Sequence, residues 1–317
     1  MKKLLAIGEA LIDMIPSNTG RIMNVNSFIP KVGGAPLNVC GAYTKLGGFS
    51  NIITMLGNDP FGDKIVAELK EYGIGVDYIR RTNKANTSLA FVTLDENGNR
   101  DFSFYRNPGA DMLMSENDID KTWFSDAFAL HFCSVSLGDF PMRKAHDKAI
   151  SYAKESGSII SFDPNVRLPL FSDHEYLKSI IHEYIQYADI LKISDEEVKF
   201  IFGNNDIEEN LEYLFNKGVK LVVYTSGKNG ARAYTKNAVA QSKGIEVKAM
   251  DTTGAGDGFI GCLLYQLAND NVSLQYLKSL TKEKMEKYLD ISNRFCSISV
   301  TKEGSIASYP RAKEISM

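Results

Sequence analysis

The sequence predicts an α/β fold: a central, mostly parallel sheet with helices on both faces, plus a small β-sheet lid at one edge. Three observations lead there. Short apolar runs rich in Ile, Val and Phe alternate with longer amphipathic stretches, the pattern of strands and helices in turn. Glycine-rich turns twice open directly onto apolar helical segments. One segment breaks the alternation with two strand-like runs around Asn97-Gly98, a strong hairpin turn signal.

Taken in order, residues 4–8, 51–56, 127–132, 158–163, 190–194 and 219–225 are expected to be buried strands. Helical spacing of apolar residues covers 36–46, 61–72, 141–156 and 175–187, with Gly47, Gly73 and Gly157 as C-terminal stops after the first three. The hairpin pairs 87–94 with 100–106, and a two-stranded ribbon of that size needs support, which residues 14–32 supply. The chain therefore divides into a large domain (1–12, 33–86 and 107–317) and an inserted lid (13–32 and 87–106).

Composition narrows the function. A net charge of −3 with 44% hydrophobic residues describes an ordinary soluble protein, with no general pull toward nucleic acid or an anionic membrane. The apolar stretch 4–15 is interrupted by Glu9 and Asp13, which a membrane span or a secretory leader tolerates poorly, so a cytoplasmic location is expected. Cys40, Cys133, Cys262 and Cys296 lie too far apart for a zinc site or a disulfide scaffold and read as reduced core residues. The four histidines are equally scattered.

The most informative stretch is Asp251-Thr-Thr-Gly-Ala-Gly-Asp257, which runs into an apolar helix. Gly254, Gly256, Gly258 and Gly261 each cost about 1 kcal/mol of helix propensity relative to Ala, so a purely structural helix start would use other residues. A turn of Gly254, Ala255 and Gly256 lets backbone amides converge at a positive helix end, a receptor for developing negative charge. Asp257, in the same first turn, is placed to take a proton from an attacking hydroxyl. The bland alternative is that it only complements the helix dipole, worth about 0.3–1 kcal/mol. A second glycine turn, Gly33-Gly34-Ala35-Pro36, precedes Asn38, which offers both a donor and an acceptor to hydroxyls.

These two regions, 33–62 and 251–264, resemble the signature regions of the ribokinase-like carbohydrate kinases, and the resemblance continues in order through 8–13, 163–167, 194–197, 225–230 and 301–310. It implies an ATP-dependent sugar kinase with Asp257 as base and the 254–256 turn as anion hole. Asp13, Gly33, Gly34 and Asn38 would bind the sugar, Phe104 and Arg106 would reach down from the lid, and Arg167 would steady phosphates. Thr225, Ser226, Gly227 and Gly230 would contact ATP, with Asn293 near the adenine. Glu197 would hold Mg2+ through water, with Ser194 beside it. Where the family usually carries Asn, this chain has Ser194, which with Glu197 also has capping-box spacing. Asp251 and Thr253, with Gly304 and Ser308, resemble a monovalent-cation site for K+. Within the family the chain is most similar to bacterial fructokinases, which implies D-fructose as acceptor, with 2-keto-3-deoxygluconate as the alternative and a catalytically silent sugar-binding regulator as the alternative of another class. Exposed lid edges can pair in a homodimer or stay solvated, and the sequence does not choose between them.

Overall fold

The computed structural model describes residues 2–94 and 100–315. In chain order the elements are β1 (Lys3–Ile7), β2 (Leu11–Pro16), β3 (Phe28–Gly33), α1 (Ala35–Lys45), β4 (Phe49–Gly57), α2 (Pro60–Tyr72), β5 (Ile79–Thr82), β6 (Leu89–Leu94) and β7 (Arg100–Tyr105). There follow β8 (Ala127–Cys133), α3 (Met142–Glu155), β9 (Ile159–Asp163), α4 (His174–Ile185), β10 (Ile190–Ser194), α5 (Asp195–Phe202), α6 (Leu211–Asn216) and β11 (Leu221–Thr225). The chain ends with β12 (Ala231–Tyr234), β13 (Val239–Ser242), α7 (Ala255–Asn269) and α8 (Lys282–Ser299).

Nine strands form the large sheet in the order β13-β12-β11-β10-β9-β8-β1-β4-β5, parallel from β11 to β5 and antiparallel at the β12–β13 edge. All six expected strands are in it, with ends displaced by at most two residues. The second sheet, β3-β2-β6-β7, joins the two expected hairpin strands to the 11–33 ribbon through a parallel β2–β6 pairing. The Asn97-Gly98 turn itself lies outside the described residues.

Local chemistry sets the helix ends. In α2 the Asp59 side chain accepts from the Gly62 amide, Pro60 occupies the first helical position, and Gly73 closes the helix at φ 77°. Side chains alternate across the parallel strands. Leu130, Phe132, Phe162 and Leu191 pack beneath α3 and α4, while Ile159, Ile190 and Val223 pack beneath α7 and α8. The helices α1 and α7 approach closely because Gly261 has no side chain: a Cβ there would stand 2.7 Å from Ala42 Cβ.

Topology locates the crevice. From β1 the chain moves to β4 and β5 on one side, then returns to β8 on the other, so the direction of winding reverses between β1 and β8. Ligand crevices in open α/β sheets lie beyond the carboxyl ends of the strands at such a reversal. Here the segments leaving β1 and β8 are bridged by Ser136, whose hydroxyl donates to Glu9 at 2.9 Å.

Candidate active site

Three segments remote in sequence converge on Asp257. The side-chain amides of Asn38 and Asn165 donate to its two carboxylate oxygens at 2.8 and 3.1 Å. Asn38 comes from the first turn of α1 and Asn165 from the loop after β9, where it adopts a left-handed φ of 44° that Asn tolerates better than most residues. The Asn165 amide donates to Asp163 at 3.1 Å, a local turn that holds this shape. Asp257 is buried, and burial pushes its carboxyl above the usual range, with Asn38 and the charges of Arg167 and Lys192 pulling partly back. The result is a carboxylate oriented from two sides and less hydrated than one in water.

The turn before it is ordered as the glycines suggest. Gly254 caps α7 at φ 72°, its carbonyl accepts from the Tyr309 hydroxyl at 2.7 Å, and a Cβ would strike that hydroxyl and Ser305. The Ala255 amide is bonded to the Thr252 carbonyl at 3.2 Å. Among the described residues the Gly254, Gly256 and Asp257 amides have no protein acceptor, whereas that of Ala255 does.

The second glycine turn faces the same place. Gly33 lies against Asp13, whose Oδ2 is 2.2 Å from where a Cβ would be. Asn38 Oδ1 is buried without a hydrogen-bond partner, an acceptor left for a ligand hydroxyl. Glu9, buried and with its carboxyl pushed up by that burial, accepts from the Ala35 amide at 3.2 Å and so closes the start of α1. Sequence reasoning gave Glu9 no role in the site, although its interruption of an apolar strand exit was the signal. Asn165 was passed over in the same way, inside a segment from which only Arg167 was carried forward.

Phe104 and Arg106 line a cavity of about 360 Å³ with Val135, Phe140 and Leu170. The Arg106 guanidinium is committed to Asp111, with Nε at 2.8 Å and Nη2 at 2.5 Å, and both side chains are buried. Arg167 is exposed, donates to its neighbour's carbonyl and lends charge to Asp257.

The residues expected to contact nucleotide and metal are placed differently from one another. Ser194 caps α5: its hydroxyl accepts from the Glu197 amide and its own amide donates to Glu197 at 2.8 Å, so the capping-box reading holds. The other Glu197 oxygen accepts from Val166 at 2.9 Å. Burial opposes its charge, but Lys192 and these amides hold Glu197 below the usual carboxylate range. Thr225 ends β11, and Ser226, Gly227 and Gly230 form the tight turn after it. Ser226 and Gly230 line a cavity of about 570 Å³ with Tyr224, Asp206 and Arg232. Asn293, on α8, spends its amide on Ser242 and Lys243, fixing the exit of β13.

Asp251 accepts from the Thr253 amide and hydroxyl in a local turn and from the Gly304 amide across 53 residues, so the three meet in space. The Ser308 hydroxyl is bonded to Ser299 and Ser305. Among the described residues no group of three or more His, Cys, Asp or Glu could hold a metal ion. The four cysteines are free, three of them buried, and burial pushes the thiols of Cys40 and Cys262 up to about 12. His131 and His146 are buried and held neutral, at about 3 and 4. No helix among the described residues is long and apolar enough to cross a membrane.

With this geometry in place, the comparisons with known proteins are informative. The model of the family described as pfkB family carbohydrate kinase matches residues 1–312. Fructokinase-2 of Solanum lycopersicum is 39% identical over 313 residues, covering 98% of this chain and 94% of its own. The solved structure of a fructokinase from Xylella fastidiosa with bound ATP superimposes with a TM-score of 0.92 at 32% identity, covering 99% and 96% of the two chains. A double-mutant fructokinase from Vibrio cholerae O395, in fructose-, ADP- and potassium-bound form, gives 0.88 at 30% identity, covering 100% and 97%.

Proposed function

The chain belongs to the pfkB family of carbohydrate kinases, and from that premise we propose that it is a fructokinase, transferring the γ-phosphoryl group of MgATP to D-fructose to give fructose 6-phosphate and ADP. One observation carries the mechanism: a buried carboxylate, held from both sides, stands at a helix start whose amides are open. Asp257 takes the proton of a sugar hydroxyl as that oxygen bonds to the γ-phosphorus, and the bond to the ADP oxygen breaks. The Gly256 and Asp257 amides, with the positive end of α7 and the flexibility that Gly254 permits, receive the charge developing on the phosphoryl oxygens. Asn38 Oδ1 accepts from a sugar hydroxyl, and Asp13, Gly33 and Gly34 bound the sugar's other side. Glu197, held below the usual carboxylate range by Lys192 and its backbone donors, would hold Mg2+ through water, and the ion would supply charge that neutralises the phosphate chain. The turn of Thr225, Ser226, Gly227 and Gly230 carries the nucleotide, with Asn293 shaping its far wall.

Fructose is preferred to 2-keto-3-deoxygluconate because Arg106, the cation that would attract a sugar carboxylate, is already neutralised by Asp111. A silent regulatory role is disfavoured by the intact and oriented Asp257. The four-stranded sheet is read as a lid that closes over the sugar, and exposed Met23, Ile29 and Tyr105 on its elements support pairing of two chains there. K+ fits the 251–253 turn beside the helix opening.

A coupled ADP-release assay across fructose, 2-keto-3-deoxygluconate, ribose and adenosine tests the reading. Fructose-dependent ADP release well above the others is expected, and its absence with all four would overturn it.

A further inference from the structure

Lys192 is a buried cation that the transfer described above does not use. It sits on β10, and its ammonium bonds Asp163 at the end of β9 at 2.9 Å, with the two side chains 7% and 1% exposed. The position is telling: a Cβ built on Gly256 would lie 3.1 Å from Lys192 Nζ, so the ammonium stands against the opening turn of α7. The groups facing it are Asp163, Glu197, Asp257 and the neutral His131, which is bonded to Ser161. Burial opposes its charge, yet these carboxylates hold it protonated. An ion pair this deep is a poor source of stability, since well-packed apolar residues commonly serve as well. Its position beside the open amides suggests a different use.

We propose that Lys192 is a positioning residue of the phosphoryl transfer, its ammonium anchored by Asp163 against the first turn of α7 to supply fixed positive charge where the phosphoryl group is received. Asp163 sets the position, and the missing side chain of Gly256 leaves the ammonium's field open toward the phosphate. The inference rests on the kinase reading given above and adds a residue to it.

The test separates charge from packing. Lys192→Met combined with Asp163→Asn removes both charges at nearly constant shape. If Lys192 merely neutralises Asp163, the double variant restores the parent rate. If its charge serves the reaction, kcat falls about 100-fold, on the scale of losing one preorganised donor, while KM for sugar and ATP stays within about threefold. A double-variant kcat within about threefold of the parent overturns the proposal.

Should the double exchange disturb folding, Lys192→Arg and Lys192→Gln are compared on folded protein. The charged variant should be at least about tenfold faster in kcat. The Gln variant should also move the acid limb of kcat/KM upward, since the ammonium favours ionised Asp257. Equal rates and an unmoved limb overturn the proposal. Rates are referred to the parent enzyme with whichever sugar it phosphorylates, so a parent inactive on fructose counts against the substrate assignment and not against Lys192.

Discussion

The two glycine turns lead into helices whose first turns touch, Asn38 of α1 against Asp257 of α7, yet their positive ends differ in availability. At α1 the Glu9 carboxyl already accepts from the Ala35 amide and Pro36 has no N–H, so the first two positions of that helix offer no free donor. At α7 the Gly256 and Asp257 amides have no protein acceptor among the described residues. A helix start whose first amide is taken by an internal carboxyl suits neutral hydroxyls, and one with open amides suits a phosphoryl group. The same local motif thus serves two substrates because its third partner differs.

Removing the base should break the comparison most severely. Asp257→Asn is expected to lower kcat by roughly 10²–10⁴ with the fold intact. Stability should not suffer at neutral pH. A carboxyl whose folded pKa is raised contributes stability fully present below its unfolded value and lost as pH rises through the folded one, so the neutral amide removes a liability. Near-parent kcat in steady-state assays would leave α7 with no more chemistry than α1.

Next in size is the link between the two turns. Asn38→Ala removes a hydrogen bond to a charged group, worth about 1.5–3 kcal/mol, so kcat/KM should fall roughly 10- to 100-fold. The activity requires ionised Asp257, and Asn38 lowers its pKa, so the acid limb of the pH–rate profile should move upward in the variant. A limb that stays in place would mean that Asn38 contacts sugar only.

A smaller effect separates the glycines of the open turn. At Gly254 a Cβ meets Tyr309 and Ser305 at 2.7 and 2.8 Å with φ at 72°, whereas at Gly256 it meets only Lys192, with Nζ at 3.1 Å and no backbone or ring in the way. Gly254→Ala should therefore lose about 1–2 kcal/mol of stability in denaturant melts, the cost of a strained left-handed residue. Gly256→Ala should melt like the parent but turn over several-fold more slowly. The reverse pattern would contradict the open-amide assignment.

The mildest test closes the comparison from the other side. Glu9→Gln keeps an acceptor for Ala35, and because burial has pushed the Glu9 carboxyl up, the neutral amide should cost no stability at neutral pH in denaturant melts. kcat should change less than in any variant at α7, and an equal loss would erase the distinction between the helices.

Much of this arrangement was legible in one dimension. Short apolar runs located β1, β4 and β8 to β11, and 3.6-residue periodicity located helices α1 to α4. The four-residue strands β5, β12 and β13 carry too few positions for a pattern, and the charged start of α8 obscured its apolar face. Ser194 could be read both as a cap and as a ligand, and its paired bonds with Glu197 show the cap.

By itself the sequence determined what depends on covalent neighbours: the glycines that permit each turn, the aspartate in the first turn of α7, and the alternation that makes a parallel sheet. Tertiary structure decided what depends on through-space partners, because Asn38 and Asn165 reach Asp257 from 219 and 92 positions away. It also decided that Glu9 closes one helix and that Lys192 stands against the other. No local pattern encodes such meetings, since hydrogen bonds and fields act over a few ångströms of space and not along the chain.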